Sequence, residues 1–403
     1  MEKRKQLLCI IGILSFDLLA LLYGISTLSI SSGEAAIYFG EKSLLYFLSH
    51  FGTLIFGQND FGLRSPFLFF HFLSCILLYI LALKYTKTVG DSLLSLLLFL
   101  LLPGTVASAL LVNEASLVIF IALCILCAYE YEKKFLFYGL LILSLFIDKS
   151  FNILFLIFFF FAMYKKDFLL LTFSLFLFVA ALNIYGFYTG GRPRGYFLDT
   201  LGIFAACFSP LVFFYFFYVL YRLAFQKEKT LLWFVMSVTF LFCSLLSLRQ
   251  KLYLEDFLPF CVLCTPLLIK TLMQSYRVRL PQFRFGYKIF IQGAVIFLLV
   301  FYFLLVANTL LYFVLSNPNR HFASKYHFAK ELSQELKLRG ITEIKTAPNL
   351  QKRLEFYGIK EGDAFFLQNL HSTQKQEANA TIITLTFGKH KSKYQIVKNE
   401  TSF

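Results

Sequence analysis

In a chain that is 58% hydrophobic and 15% charged, each ionisable side chain beside an apolar run calls for a chemical explanation. The residues that stand out are the acids Glu34, Glu114 and Asp148, the bases Lys42, Arg64, Lys149, Arg192, Arg194, Arg249 and Lys251, and the phenols Tyr38 and Tyr253. Ionisable groups at membrane depth are costly unless paired or hydrated, so they collect along cavities. A carboxylate can take the proton of an attacking hydroxyl, while Lys and Arg stabilise a departing phosphate. Together these are the parts needed to displace a phosphate from carbon with an activated hydroxyl. Taken singly, each residue reads equally well as a hydrated loop charge. Asp17, inside the first apolar run, reads equally as a structural hydrogen-bond partner or a functional group.

The elements that must position these residues are membrane spans. The 58% hydrophobic share exceeds the roughly 45–50% of soluble domains, and the 15% charged share falls below their roughly 25%. With 53 Phe among 403 residues and a mean hydropathy of +0.70, most of the surface must face lipid or other apolar helices. A formal charge of +15 would suit a nucleic-acid binder, but in a polytopic protein it reflects basic cytoplasmic loop ends. The eight Cys all sit in apolar stretches. The Cys124/Cys127 and Cys261/Cys264 pairs have no nearby His, so they read as small core residues rather than a metal or redox site.

Lys3, Arg4 and Lys5 precede a run from Leu7 to Ile25, which reads as an uncleaved first helix with a cytoplasmic N-terminus. Further apolar segments lie near 66–83, 91–111, 115–129, 135–147, 150–164, 168–186, 201–221, 231–248, 253–273 and 289–316, giving about eleven spans. The pair at 135–147 and 150–164 also reads as one kinked or re-entrant unit. Basic residues recur at alternate loops: Lys84/Lys87, Lys133/Lys134, Lys165/Lys166, Arg222/Lys227/Lys229 and Arg277/Arg279/Arg284/Lys288. Placing those inside puts all the candidate site residues on the outer side.

Two hydrophilic pieces then face outward. The first loop, 27–64, carries an amphipathic stretch from Ala36 to Phe56 that predicts an interfacial helix. The tail, 318–403, follows the Asn317-Pro318-Asn319 breaker. Its periodicity predicts helices at 328–339 and 350–357 and strands at 341–345, 364–367, 381–387 and 394–397, a small α/β domain. Asn379-Ala380-Thr381 is an N-glycosylation-type acceptor, in keeping with an external tail. The expected organisation is a transmembrane domain over 1–317 and a soluble domain over 318–403.

The order of the polar motifs resembles the fold-C (GT-C) membrane glycosyltransferases of the family 39 kind, which include protein O-mannosyltransferases and the lipid A aminoarabinose transferase. An acidic Asp-Glu-Ala-x-Tyr-like motif of that family is matched by Glu34-Ala35-Ala36-Ile37-Tyr38, and its Lys-Pro-Pro-Leu-like segment by Lys42-Ser43-Leu44. A Phe-Gly…Arg-x-Pro motif is matched by Phe56-Gly57 through Arg64-Ser65-Pro66, and a second acid by Asn113-Glu114-Ala115. Asp148-Lys149-Ser150 stands for a Thr-Lys-Gly-like turn, and Arg249 through Tyr253 with Pro259 for a Lys-x-x-Tyr…Pro pattern. Glu34 replaces the family's Asp, Ala35 replaces the next acid, and the prolines after Lys42 are absent.

The resemblance implies an inverting transferase in a bacterial inner membrane that moves a sugar from a polyprenyl-phosphate donor to a lipid, glycan or protein acceptor. Glu34 and Glu114 would be its catalytic acids. Lys149, Arg249 and Lys251, with Arg192 and Arg194, would hold the donor phosphate, supported by Tyr38, Lys42, Arg64, Asp148 and Tyr253. No nucleotide cofactor is implied. A divalent metal is compatible with the scheme, but nothing in the sequence requires one. Two rivals stay open: a transporter or flippase for a lipid-linked or anionic substrate, and a non-catalytic relative. Transporters of that kind carry internal repeats, whereas here a long first loop and a single C-terminal domain make the halves unequal.

The loop charges make a direct prediction. A reporter that works only after export is expected to be active when fused after Phe403 and silent near Arg279. Activity at Arg279 would put the candidate acids and bases on the wrong face.

Overall fold

The computed structural model describes residues 2–186, 195–249, 259–315, 321–369 and 381–398. The helices, in chain order, are α1 (Glu2–Thr27), α2 (Ser32–Tyr38), α3 (Leu44–Phe56), α4 (Asp60–Tyr85), α5 (Val89–Leu101), α6 (Pro103–Leu110), α7 (Ala115–Glu130), α8 (Lys134–Ser144) and α9 (Phe151–Lys165). They continue with α10 (Phe168–Tyr185), α11 (Phe197–Phe208), α12 (Pro210–Ala224), α13 (Leu231–Ser247), α14 (Thr265–Val278), α15 (Pro281–Val306), α16 (Leu311–Val314), α17 (Ala329–Leu338) and α18 (Pro348–Phe356). Three strands follow: β1 (Phe365–Asn369), β2 (Thr381–Phe387) and β3 (His390–Lys398).

Among the described residues, four helices are long and apolar enough to cross a membrane: α1 from Arg4, α4, α10 and α15. The number rises to six if each of two bent pairs is one span, and shorter apolar helices accompany them. The protein is therefore an integral membrane protein. Two runs that read as continuous spans in the sequence are broken. The expected 91–111 span bends by 61° between α5 and α6, and the 201–221 span by 106° between α11 and α12. Pro103 and Pro210 open the second helix of each pair. Proline lacks the N–H that would continue the ladder and disfavours helical geometry in the residue before it. The stretch at 135–147 and 150–164 forms two helices, α8 and α9, with residues 145–150 between them.

The chain divides into two compact units, 1–18 with 67–302 and 19–66 with 303–403. In the first, α9 packs on α10 and α13, α5 on α14, and α7 on α8. Arg277 near the end of α14 pairs with Asp91 in the first turn of α5 at 2.7 Å. Deep among the apolar side chains, Asp17 accepts a hydrogen bond from the Tyr302 hydroxyl at 2.8 Å and faces His71 Nε2 at 3.1 Å. All three side chains are buried, which answers the question the sequence leaves open for Asp17: it ties α1 to α4 and α15.

The second unit cuts across the expected boundary at 317/318, because the first loop folds with the tail. The single interfacial helix expected over 36–56 is two helices. Ser43 caps α3 through its side chain, and a Cβ at Gly40 would sit 2.1 Å from the Ala36 carbonyl oxygen, so the chain turns between them. In the tail, β3 lies between β1 and β2, antiparallel to both, with Leu367 opposite Ile396 and Ile383 opposite Tyr394. Leu332 and Leu336 of α17 and Leu354 of α18 share a core with Ile383, Leu385 and Ile396. The strand expected at 341–345 is reduced to isolated bridges, Glu343 to Lys360 and Lys345 to Phe366.

His327, just before α17, is buried, and that burial, followed by the neighbouring His321, pushes its imidazole down from 6.5 to about 4. It is therefore neutral in the folded chain while the unfolded chain takes up a proton near 6.5. The contribution of His327 to stability is complete above that pH and is lost as pH drops towards about 4, about 3 kcal/mol from this one group. Thermal unfolding in detergent is expected to show this acid limb in the native chain and a shallower one in His327→Gln. Parallel curves would show that other groups govern acid unfolding.

Candidate functional site

Glu34 lies in the first turn of α2, where Ser31 and Glu34 form a capping box. Glu34 N–H donates to Ser31 Oγ at 3.2 Å, and Ser31 N–H donates to Glu34 Oε2 at 2.9 Å. The same carboxylate receives the planar fork of Arg64, from Nε to Oε1 at 3.3 Å and from Nη2 to Oε2 at 2.9 Å. Arg64 is fully buried, so charge on both partners is tolerable only because the pair is bidentate and its other donors are satisfied. Nη1 donates to the Leu28 carbonyl at 3.2 Å, Nη2 donates to the Ser29 carbonyl at 3.1 Å, and Asp60 stands one helical turn earlier at 3.9 Å.

Backbone geometry brings Arg64 there. Gly57 ends α3 with φ +83°, a conformation that other residues rarely adopt. At Gly52 a Cβ would lie 2.2 Å from the Gly62 carbonyl oxygen, so α3 and the start of α4 approach closely only because both positions lack side chains.

The tail grips the same loop. Arg353 of α18 donates from Nε to the Ile30 carbonyl at 2.6 Å and from Nη2 to the His327 carbonyl at 2.9 Å and to Ser29 Oγ at 3.3 Å. The Tyr357 hydroxyl donates to Asp60 Oδ1 and accepts from Ile30 N–H at 2.9 Å. Burial and the Asp60 charge hold that phenol above its ordinary range, so it stays protonated as a donor. Lys330 closes the chain of charges with Asp60 Oδ2 at 3.1 Å. Asp60, Lys330, Arg353 and Tyr357 were not singled out from the sequence. The one visible signal was the i, i+4 spacing of Asp60 and Arg64.

The other expected residues fall as follows. Tyr38 is buried, stacked on His50 at 4.1 Å between ring centroids, with its hydroxyl 3.3 Å from Thr53 Oγ1. Lys42 is exposed in the turn before α3. In the first unit, half-buried Glu114 precedes α7, where Asn113 Oδ1 accepts from Ala115 N–H at 3.0 Å. Asp148 caps the turn before α9 by accepting from Ser150 N–H at 2.8 Å, beside exposed Lys149. Arg249 is exposed just beyond α13. Arg192, Arg194, Lys251, Tyr253 and Asn379 lie outside the described residues. The structure thus brings Glu34 and Arg64 into contact and places Tyr38 and Lys42 in the same unit, with Glu114, Asp148, Lys149 and Arg249 in the other. No group of three or more His, Cys, Asp or Glu side chains arranged to hold a metal occurs among the described residues.

The fold is shared with a solved structure. A crystal structure of ArnT from Cupriavidus metallidurans in the apo state superposes with a TM-score of 0.50 at 11% identity, covering 86% of this chain and 75% of that one. The sequence resemblance to the fold-C glycosyltransferases is thereby matched by a likeness of fold. No family model and no curated protein matches the chain.

Arg64→Leu leaves Glu34 and Asp60 buried beside an apolar side chain, which is expected to cost about 3–5 kcal/mol. Arg64→Lys restores charge without the fork and is expected to fall between the two. Thermal unfolding of the detergent-solubilised chain measures both. An unchanged midpoint in Arg64→Leu would show that the pair does not hold the loop.

Proposed function

We propose that the protein is an inverting glycosyltransferase that moves a sugar from a polyprenyl-phosphate donor to a hydroxyl of a lipid, glycan or protein acceptor, at the outer face of a bacterial inner membrane. The observation that carries this reading is the fold it shares with ArnT over most of its length. The order of acids and bases along the chain supports it. In this scheme about eleven spans, some of them short or bent, put the N-terminus in the cytoplasm and the tail in the periplasm.

The acceptor hydroxyl attacks the anomeric carbon from the face opposite the phosphate, and the new C–O bond forms as the bond to the phosphate oxygen breaks. The phosphate leaves with the electron pair, held by Lys149, Arg249 and Lys251, with Arg192 and Arg194 as a second anchor or loop lid. Inversion follows from the single displacement. Glu34 takes the hydroxyl proton or orients the hydroxyl, and Glu114 orients the reactants. Both Glu34 oxygens accept hydrogen bonds from Arg64 and Ser31, so in this scheme the acceptor hydroxyl approaches a carboxylate whose position those bonds already fix.

The test is purified protein with polyprenyl-phosphate sugar and a panel of lipid and peptide acceptors, without a membrane gradient. Product is expected from the native chain and none from Lys251→Ala. Glu34→Gln is expected to lose at least about tenfold, since a general base contributes roughly 10²–10⁴-fold, and Glu34→Asp to retain part of the rate. Donor binding without turnover across the panel would overturn the proposal and favour a non-catalytic relative.

A further inference from the structure

The second unit holds a cleft of about 480 Å³ that none of the sequence-predicted site residues lines. One wall is apolar: Leu22 and Ile25 from the last turns of α1 and Phe61 from the first turn of α4. Both helices are candidate spans, so this wall lies where each leaves the bilayer. The opposite wall is one face of α17, where Lys330, Ser333, Gln334 and Lys337 recur at the three- and four-residue spacing that aligns side chains along a helix. Asn59 and Gln58 add amide groups at the rim.

Charge decides what such a cleft can hold. The one carboxylate in its lining, Asp60, is already matched by Lys330 at 3.1 Å and by Arg64 at 3.9 Å. Lys330 spends one further donor on the Ser26 carbonyl at 3.2 Å, which leaves a third N–H of its ammonium for a ligand. Lys337 is exposed and has no ion pair among the described residues. Its ammonium sits over Gly358, where a Cβ would lie 3.6 Å away. The lining therefore carries positive charge beyond what Asp60 neutralises, and a cation is disfavoured. A small soluble anion would leave Leu22, Ile25 and Phe61 unused.

We infer that this cleft binds a phosphate-bearing amphiphile. Its phosphate rests on Lys330 and Lys337, its polar head hydrogen-bonds to Asn59 and Gln334, and the start of its acyl chain lies against Leu22 and Phe61. The volume falls within the roughly 300–1,000 Å³ of small-ligand pockets, enough for a headgroup while the rest of the chain stays in lipid. The site is separate from the transfer chemistry, and its occupancy is read without turnover, so it stands or falls independently of the enzymatic reading.

Native mass spectrometry of the full chain in non-ionic detergent tests it, titrating dioleoyl phosphatidic acid, the matched diacylglycerol and glycerol phosphate. Lys330 is left in place because it holds Asp60. Phosphatidic acid is expected to bind the native chain more tightly than either other probe. Lys337→Gln is expected to weaken it about fivefold and Lys337→Glu about thirtyfold, the scale for one and two charges near a membrane surface. Lys352→Gln and Lys360→Gln, exposed elsewhere on the tail, are expected to leave it unchanged. Leu22→Ser is expected to weaken phosphatidic acid but not glycerol phosphate. Equal binding by Lys337→Glu and the native chain would overturn the site. Diacylglycerol bound as tightly as phosphatidic acid would overturn the role of the phosphate, and glycerol phosphate bound as tightly would overturn that of the acyl chain.

Discussion

The loop between the first two spans depends on a guanidinium taken out of water. Arg64 cannot lose its proton, so the fold must supply acceptors on every side of it, and it does so from Glu34, Leu28, Ser29 and Asp60. Each acceptor belongs to a segment that would otherwise wander. The buried cation therefore acts as the centre to which the end of α1, the α2 cap and the start of α4 are tied. A buried ion pair adds little net stability, but it penalises every arrangement that leaves it incomplete. That penalty favours one loop geometry over its neighbours, and any chemistry carried by Glu34 inherits the definition.

The tail completes this arrangement. Arg353 and Tyr357 end α18 with polar groups that reach the backbone of Ile30, the Ser29 hydroxyl and the Asp60 carboxylate. Burial lowers the Arg353 pKa and raises the Tyr357 pKa from their ordinary values, but neither shift removes the proton that each donates at neutral pH. The tail is thus the second half of the scaffold around the first loop, which explains why the compact unit is assembled from segments so far apart in the chain.

Much of this was legible in the sequence. Apolar run length and loop charge gave the membrane class, since hydropathy is a property of whole segments and survives errors of a few residues. The tail strands at 381–387 and 394–397 and both tail helices were visible through strict periodicity. Glu34 and Arg64 drew attention as charges flanking apolar runs. Their direct contact did not, because a pairing across thirty residues depends on the turn that Gly57 and Gly62 permit. Arg353 and Tyr357 were hidden for the opposite reason: in a hydrophilic tail a lone Arg and Tyr look like ordinary surface. The bends at Pro103 and Pro210 were marked by the prolines, but run length alone carried the reading past them.

The Asp17, His71 and Tyr302 contacts bear on how the chain is made. Asp17 enters the bilayer first, 54 residues ahead of His71 and 285 ahead of Tyr302. Until His71 is synthesised, the carboxylate has neither of these partners, and a lone acid at mid-membrane costs about 2.5–3.5 kcal/mol on insertion scales. The apolar residues around it can carry that cost, so α1 inserts but is held in the bilayer less firmly than its length suggests. Arrival of α4 relieves the acid, and α15 supplies the phenolic donor much later. Synthesis order therefore sets the order in which the cluster closes: Asp17 first, then His71, then Tyr302.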